Sequence, residues 1–273
     1  MKKLVLSVRE KHCATILCAT TFPLLLLFIS CERNPINPGE TTHEKKISKI
    51  IEECFYDEDE SICEETWEWN GNQIRTITRH FYFYVDGLLE EEDVEIAQFF
   101  YQNNKISTIT DGHTRYELFY NNDRLSSVKC YDINDNPKRE YTYEYNGDNL
   151  TKVSHSMLSL SISEEYYFEW LDGNVARIKY YNDGDYVSSY SFRYDNKENP
   201  FYNLCVNFYD NLLNEDVFVE RFLLPSSKNN VISGSHSSIG SLNFTYTYDG
   251  NYPLSRKCYL DGGVITTYYE YQE

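Results

Sequence analysis

Tyr141-Thr142-Tyr143-Glu144-Tyr145-Asn146-Gly147-Asp148-Asn149-Leu150-Thr151-Lys152-Val153 carries the pattern that decides how this chain folds. Three tyrosines fall at alternate positions and so share one face of an extended strand, while Thr142 and Glu144 take the other. Asn146-Gly147-Asp148 supplies residues that tolerate positive φ in a tight turn. Leu150 and Val153 then open a returning strand, so the unit is a β-hairpin with one aromatic face. The same spacing recurs as Trp69–Ile74–Ile77, Tyr101–Ile106–Ile109, Tyr120–Leu125–Val128 and Trp170–Val175–Ile178. A sixth copy, Tyr248 to Leu254, carries the extra residue Pro253 and lacks the second aliphatic. Residues three apart face opposite sides of a regular strand. Either the first aliphatic caps the hairpin end, or a β-bulge lies between the two.

The alternation extends outward from this segment. Trp67 and Trp69, Phe168 and Trp170, Tyr190, Phe192 and Tyr194, and Phe244, Tyr246 and Tyr248 repeat the period of two, with mostly polar residues between them. Turn signals near Asn70, Asn103, Asn122, Gly147, Gly173 and Asn196 are roughly 19 to 33 residues apart, which suits two strands and a connection per repeat. The rhythm lapses between Phe201 and Ser227 and resumes at Asn229-Asn230-Val231. The 26 Tyr and 15 Phe agree with β structure. With no linker inside 46–273, the expectation is one all-β domain: an antiparallel meander of repeated β-hairpins forming one large, strongly twisted or partly rolled sheet. An open sheet, a rolled half-barrel and a sandwich all accept such a meander. Rolling is favoured because so many rings on one face need covering.

The N-terminus reads as a processing segment. Lys2, Lys3, Arg9 and Lys11 precede an apolar run from Ala14 to Ile29, and Ser30-Cys31 follows. The run is short for a spanning helix, and a small residue before Cys has the form of a lipobox. Residues 1–30 are therefore expected to be a lipoprotein signal peptide. Cys31 is the expected lipidation site, and 31–45, with Pro35, Pro38 and Gly39, a flexible tether. The implied location is the cell envelope, as an outer-membrane lipoprotein facing either the periplasm or the surface, with the membrane a partner through the Cys31 anchor. An ordinary signal peptide or an uncleaved anchor helix is the bland alternative.

Removing 1–30 takes away four Lys/Arg and one Glu, three positive charges net, so the formal charge goes from −18 to −21. A polyanion of this size repels phosphate backbones, which argues against nucleic acid as a partner. Of the 8 Cys, Cys13 and Cys18 leave with the signal. Cys54 and Cys63 flank Asp57-Glu58-Asp59-Glu60 symmetrically and could face each other across a hairpin as a disulfide. Cys130, Cys205 and Cys258 read as small buried hydrophobes.

Tyr-x-Tyr-x-Tyr-Asn-Gly-Asp-Asn-Leu at 141–150 resembles the YD repeats of the RHS/teneurin class. The order Tyr194-Asp195-Asn196-Lys197-Glu198-Asn199-Pro200-Phe201, then Leu224-Pro225-Ser226-Ser227-Lys228-Asn229-Asn230-Val231, then Tyr246-Thr247-Tyr248-Asp249-Gly250, resembles a narrower group. These are Bacteroidales lipoproteins carrying a domain of unknown function. The resemblance spans about 46–271 and implies an all-β exported lipoprotein, without an activity. The encapsulating role of full RHS shells does not carry over, because this chain has neither their length nor a C-terminal effector.

Candidate sites are sparse. Trp67, Trp69 and Trp170 could stack on sugar rings, which would suit a glycan or protein partner. Trp69 and Trp170, however, occupy repeat positions where other copies have Tyr, and that argues for packing. Asp132-Ile133-Asn134-Asp135-Asn136 matches three ligand positions of a calcium loop, but Pro137 stands where Gly is needed and Tyr143 where the bidentate Glu belongs. No CxxC, HExxH or G-x-S-x-G occurs. No catalytic residue, metal ligand or cofactor is therefore assigned. The expected function is a non-catalytic binding or structural module at the outer membrane, with a surface glycan-binding protein of a polysaccharide-uptake system as the alternative and a hydrolase as the second.

Overall fold

Among the described residues the alternating segments form sixteen strands, each paired antiparallel with its neighbours in strand order. They are β1 (Lys46–Tyr56), β2 (Asp59–Asn70), β3 (Gln73–Val85), β4 (Leu88–Gln102), β5 (Lys105–Thr110), β6 (Thr114–Asn121), β7 (Arg124–Asp132) and β8 (Pro137–Asn146). The second half comprises β9 (Asn149–Met157), β10 (Ile162–Leu171), β11 (Asn174–Asn182), β12 (Asp185–Glu198), β13 (Asn229–His236), β14 (Gly240–Asp249), β15 (Tyr252–Leu260) and β16 (Gly263–Gln272). This computed structural model describes residues 45–56, 59–157, 162–202, 227–237, 240–260 and 262–272. The expected signal peptide, Cys31 and all of the tether except Lys45 lie outside the described residues, as does Cys205.

The sheet closes on itself, which corrects the expectation of a partly rolled sheet. β1 pairs with β16 from Lys46↔Gln272 to Tyr56↔Gly263, so every strand has two partners. At one end of this seam Gly263 permits the approach, since a Cβ there would lie 2.7 Å from the Phe55 carbonyl oxygen. Closure satisfies the two backbone edges that an open meander would leave bare.

The bulge alternative for the repeat is the one observed. Across the hairpins Trp69 pairs with Ile74, Tyr101 with Ile106, Tyr120 with Leu125, Tyr145 with Leu150 and Trp170 with Val175, each next to a register shift. The residue after each aliphatic is the extra one, and where it carries a hydroxyl it is put to use. Ser126 Oγ donates to the Phe119 carbonyl at 3.0 Å and Thr151 Oγ1 to that of Glu144 at 3.1 Å. The shift brings both aliphatics to the same inner face, where Ile109, Leu125, Val128, Val153 and Val175 are wholly buried.

The aromatic before each turn has a second task. In the seams between repeats the backbone ladder stops short: at Thr76↔Gln98 for β3/β4, Thr108↔Glu117 for β5/β6 and Lys152↔Tyr167 for β9/β10. Two residues beyond each stop lies a carbonyl with no ladder partner, and the aromatic three residues beyond the other side reaches it. Tyr101 Oη donates to Ile74 at 3.0 Å, Tyr120 Oη to Ile106 at 2.8 Å and Trp170 Nε1 to Leu150 at 2.7 Å. The same offset joins Trp69 to Ile47 (2.7 Å), Tyr194 to Val175 (2.6 Å), Tyr246 to Val231 (2.9 Å) and Tyr271 to Pro253 (2.7 Å). These positions hold Tyr or Trp and never Phe, because the seam needs a donor as well as a ring. The sixth copy keeps the register of the others: Tyr248 pairs with Pro253, which stands at the aliphatic position, and Leu254 is the extra residue. Tyr246 serves the seam on this strand, and Tyr248 donates to Asp195.

Two motif segments, 194–201 and 227–231, are stitched together by amide side chains. Asn199 Nδ2 donates to the Ser227 carbonyl at 2.8 Å, and Asn229 and Asn230 donate to those of Lys197 and Glu198 at 3.0 Å. Ser227 and Asn230 are buried there, so the pairing of β12 with β13 is fixed without a short hairpin.

Candidate functional site

The inner face contains charged as well as apolar residues, and they follow the same register. Tyr166, Phe168 and Trp170 point inward on β10, so Glu164, two residues earlier, does too. His155 on β9 and Asn182 on β11 stand directly opposite Glu164, in line with Tyr141 and Val128. The Glu164 carboxylate accepts from His155 Nδ1 at 3.0 Å, Tyr180 Oη at 3.0 Å and Tyr166 Oη at 3.2 Å. Burial alone would push this carboxyl up, but the bonds from His155, Tyr180 and Tyr166 outweigh it and hold the group below its ordinary value. The imidazole stacks on Tyr141 with ring centroids 4.5 Å apart, and Tyr166 stacks on Tyr180 at 5.0 Å.

Two further clusters line the wall by the same arithmetic. Glu65, in phase with Trp67, lies between Ile50 and Arg79, and Arg79 lies between Glu65 and Glu95. Glu65 accepts from Arg79 Nε at 3.0 Å and from Trp67 Nε1 at 3.2 Å. Burial raises the Glu95 carboxyl despite Arg79 beside it. Near the closing seam, Arg256 donates to Glu52 at 3.3 Å and to Thr267 Oγ1 at 3.2 Å, and Thr267 donates to Glu52 at 3.1 Å. Burial pushes the Cys63 thiol up to about 12.

Trp67 is 7% exposed, with its ring against Trp69 at 6.2 Å and Phe201 at 6.5 Å. Trp69 and Trp170 are half-buried in the seam bonds described above. The Cys54–Cys63 disulfide expectation is corrected: register sets Cys54 opposite Ser61 and Cys63 opposite Glu52, a diagonal arrangement, and no disulfide joins them. Diagonal positions are about 7–8 Å apart, beyond disulfide reach. Asp132 Oδ1 accepts from the Asn134 and Asn136 backbone amides at 2.9 Å each, which lowers its carboxyl to about 2. Its segment is thus a self-bonded turn. Among the described residues, no group of three or more His, Cys, Asp or Glu is arranged to hold a metal ion.

Sequence reading overlooked His155, Glu164, Arg79 and Arg256. The signal was present, since Glu164 and Glu65 sit in phase with inward aromatics, where a solvent-facing carboxylate is out of place.

The outer face differs in kind. Lys152 pairs with Glu165 at 2.6 Å and Glu144 at 3.8 Å, Lys179 with Glu169 at 2.6 Å, and Lys49 with Glu64 at 2.8 Å. Outward apolar residues such as Ile96, Phe100 and Phe119 are interspersed with this polar lattice.

No protein-family model matches the sequence, and no curated protein does. The fold is similar to that of a porin-like protein from Bacteroides uniformis ATCC 8492, with a TM-score of 0.60 at 16% identity, covering 83% of this chain and 98% of that one. A porin-like protein from Bacteroides vulgatus ATCC 8482 gives a TM-score of 0.47 at 13% identity, covering 84% of this chain and 99% of that one. The first likeness is one of architecture: an all-β, closed antiparallel barrel.

Proposed function

We propose that this chain is an exported, lipid-anchored barrel that acts at the outer membrane as a non-catalytic binding or structural module, and that it is not a pore. The carrying observation is the polarity of the wall. A spanning barrel shows lipid an apolar band about 25 Å tall, and each Lys or Arg facing the bilayer midplane costs about 2–4 kcal/mol. Here Lys152, Glu165, Lys179 and Glu169 occupy outward strand positions, while most buried side chains of the inner face are Leu, Val, Ile and aromatic residues, set beside the charged clusters described above. Such a wall belongs in water. Contact with the membrane then falls to the lipobox-like Ser30-Cys31, in keeping with the resemblance to Bacteroidales lipoproteins.

Expression of the full chain and of Cys31→Ala in a Bacteroides host, with labelled palmitate and membrane fractionation, tests this reading. Label and membrane association are expected for the wild type only. Cys31→Ala is expected in the soluble fraction without detergent. A variant that stays in the membrane and needs detergent for extraction would overturn the proposal.

A further inference from the structure

Glu164 accepts from three donors, yet each of its two flanking partners in the row has a buried polar atom without a hydrogen-bond partner. His155 is 6% exposed. Because its Nδ1 donates to a carboxylate, which can only accept, the Nδ1 atom carries the proton. In the neutral ring Nε2 is therefore an acceptor, and it is buried with no hydrogen-bond partner. Across Glu164, the Oδ1 atom of Asn182 is likewise buried and unpartnered. Leaving one such atom unmet costs about 1–3 kcal/mol. Two in one cross-strand row, beside the Tyr141 ring and the stacked Tyr166–Tyr180 pair, mark a place built to receive hydrogen bonds.

We infer that His155, Glu164 and Asn182 form a subsite on the inner wall for a small hydroxyl-bearing ligand of the polyol or monosaccharide class. The argument is one of complementarity. Both open atoms are acceptors, so the occupant must donate. A hydroxyl also accepts, so it serves His155 in either protonation state, whereas an ammonium group serves only the neutral ring and an anion only the charged one. His155 and Asn182 lie two strand spacings apart, about 9–10 Å between backbones. Acceptors set at that separation on either side of Glu164 can address two hydroxyls of one compact molecule. This inference rests on the barrel being a binding module, and it fails independently of the anchor: fractionation reports the anchor, the imidazole reports this site.

The test uses residues 32–273 with nitrogen-15 in the histidines, the His155 signals being assigned by their loss in His155→Gln. Glycerol, D-glucose, D-galactose, methylammonium chloride and sodium acetate are titrated separately while Nε2 of His155 is observed. At least one of the three hydroxyl compounds is expected to shift this resonance saturably. Asn182→Ala should weaken that binding about tenfold, the loss of one hydrogen bond, and Asn182→Asp, which keeps the acceptor, should restore most of it. Silence with all three hydroxyl compounds would mean that buried water alone serves the two acceptors, and would overturn the proposal. A response to methylammonium or acetate only, or one indifferent to Asn182→Ala, would overturn it as well.

Discussion

Tyr120→Phe removes one oxygen atom and keeps the ring. The lost hydroxyl donates at 2.8 Å to the carbonyl of Ile106, a residue 3% exposed whose seam ladder ends at Thr108↔Glu117. No backbone amide stands ready to replace it. Truncating the donor leaves a buried acceptor unmet, which costs about 1–3 kcal/mol. For a domain of this size, melting should fall by roughly 2–4 °C per kcal/mol. Urea unfolding of residues 32–273 followed by circular dichroism would give the difference as a shift in midpoint at constant slope. Phe119→Leu is the control: its neighbouring ring points outward, is 43% exposed and should change stability by less than about 0.5 kcal/mol. Tyr120→Phe with Tyr271→Phe should be additive within about 0.5 kcal/mol, since the two serve the separate seams β5/β6 and β15/β16. If Tyr120→Phe matches the wild type, or if Phe119→Leu costs as much, the repeat aromatics act through packing alone and the seam argument is refuted.

Acid should destabilise the barrel through groups held below their ordinary values. The Glu164 carboxyl lies below 4.5 and the Asp132 carboxyl at about 2 against an ordinary 3.8. A depressed carboxyl contributes stability above its unfolded value and loses it as pH falls through its folded one. The urea midpoint should therefore drop as pH falls from the ordinary carboxylate range toward about 2, and Asp132→Asn should flatten that limb; an unchanged limb would exclude Asp132 as a source. Cys63, pushed up to about 12, should hold no appreciable thiolate at pH near 8 and resist iodoacetamide until unfolding. Its rapid alkylation in the native protein, read by peptide mass spectrometry, would contradict that burial.

Much of the architecture was legible because the repeat is local. Turn chemistry at Asn146-Gly147-Asp148 and the period of two in Tyr141, Tyr143 and Tyr145 act over a few residues, so strands and hairpins follow directly. Closure was not legible. It depends on Lys46 meeting Gln272, a contact between the first and last strands that no local pattern encodes. The spacing between Leu150 and Val153 did demand either a cap or a bulge, and the register shift at Glu144/Tyr145 supplies the bulge. The inner-wall row escaped notice because His155 and Glu164 are remote from any motif and are joined only through cross-strand register. Cys54 and Cys63 misled because symmetry about an acidic turn resembles opposition, whereas the register sets them diagonally.

The pairing of Lys46 with Gln272 also gives the molecule two unlike poles. Lys45 bonds to Asp249 and Lys46 to the Gly71 carbonyl, so the chain enters at the pole that carries the repeat turns. The row of His155, Glu164 and Asn182 lies near the other pole, by the last residues of β9 and β11. An anchor at Cys31, acting through the flexible 31–45 tether, would attach the barrel by the first pole and leave the second the one farther from the point of attachment.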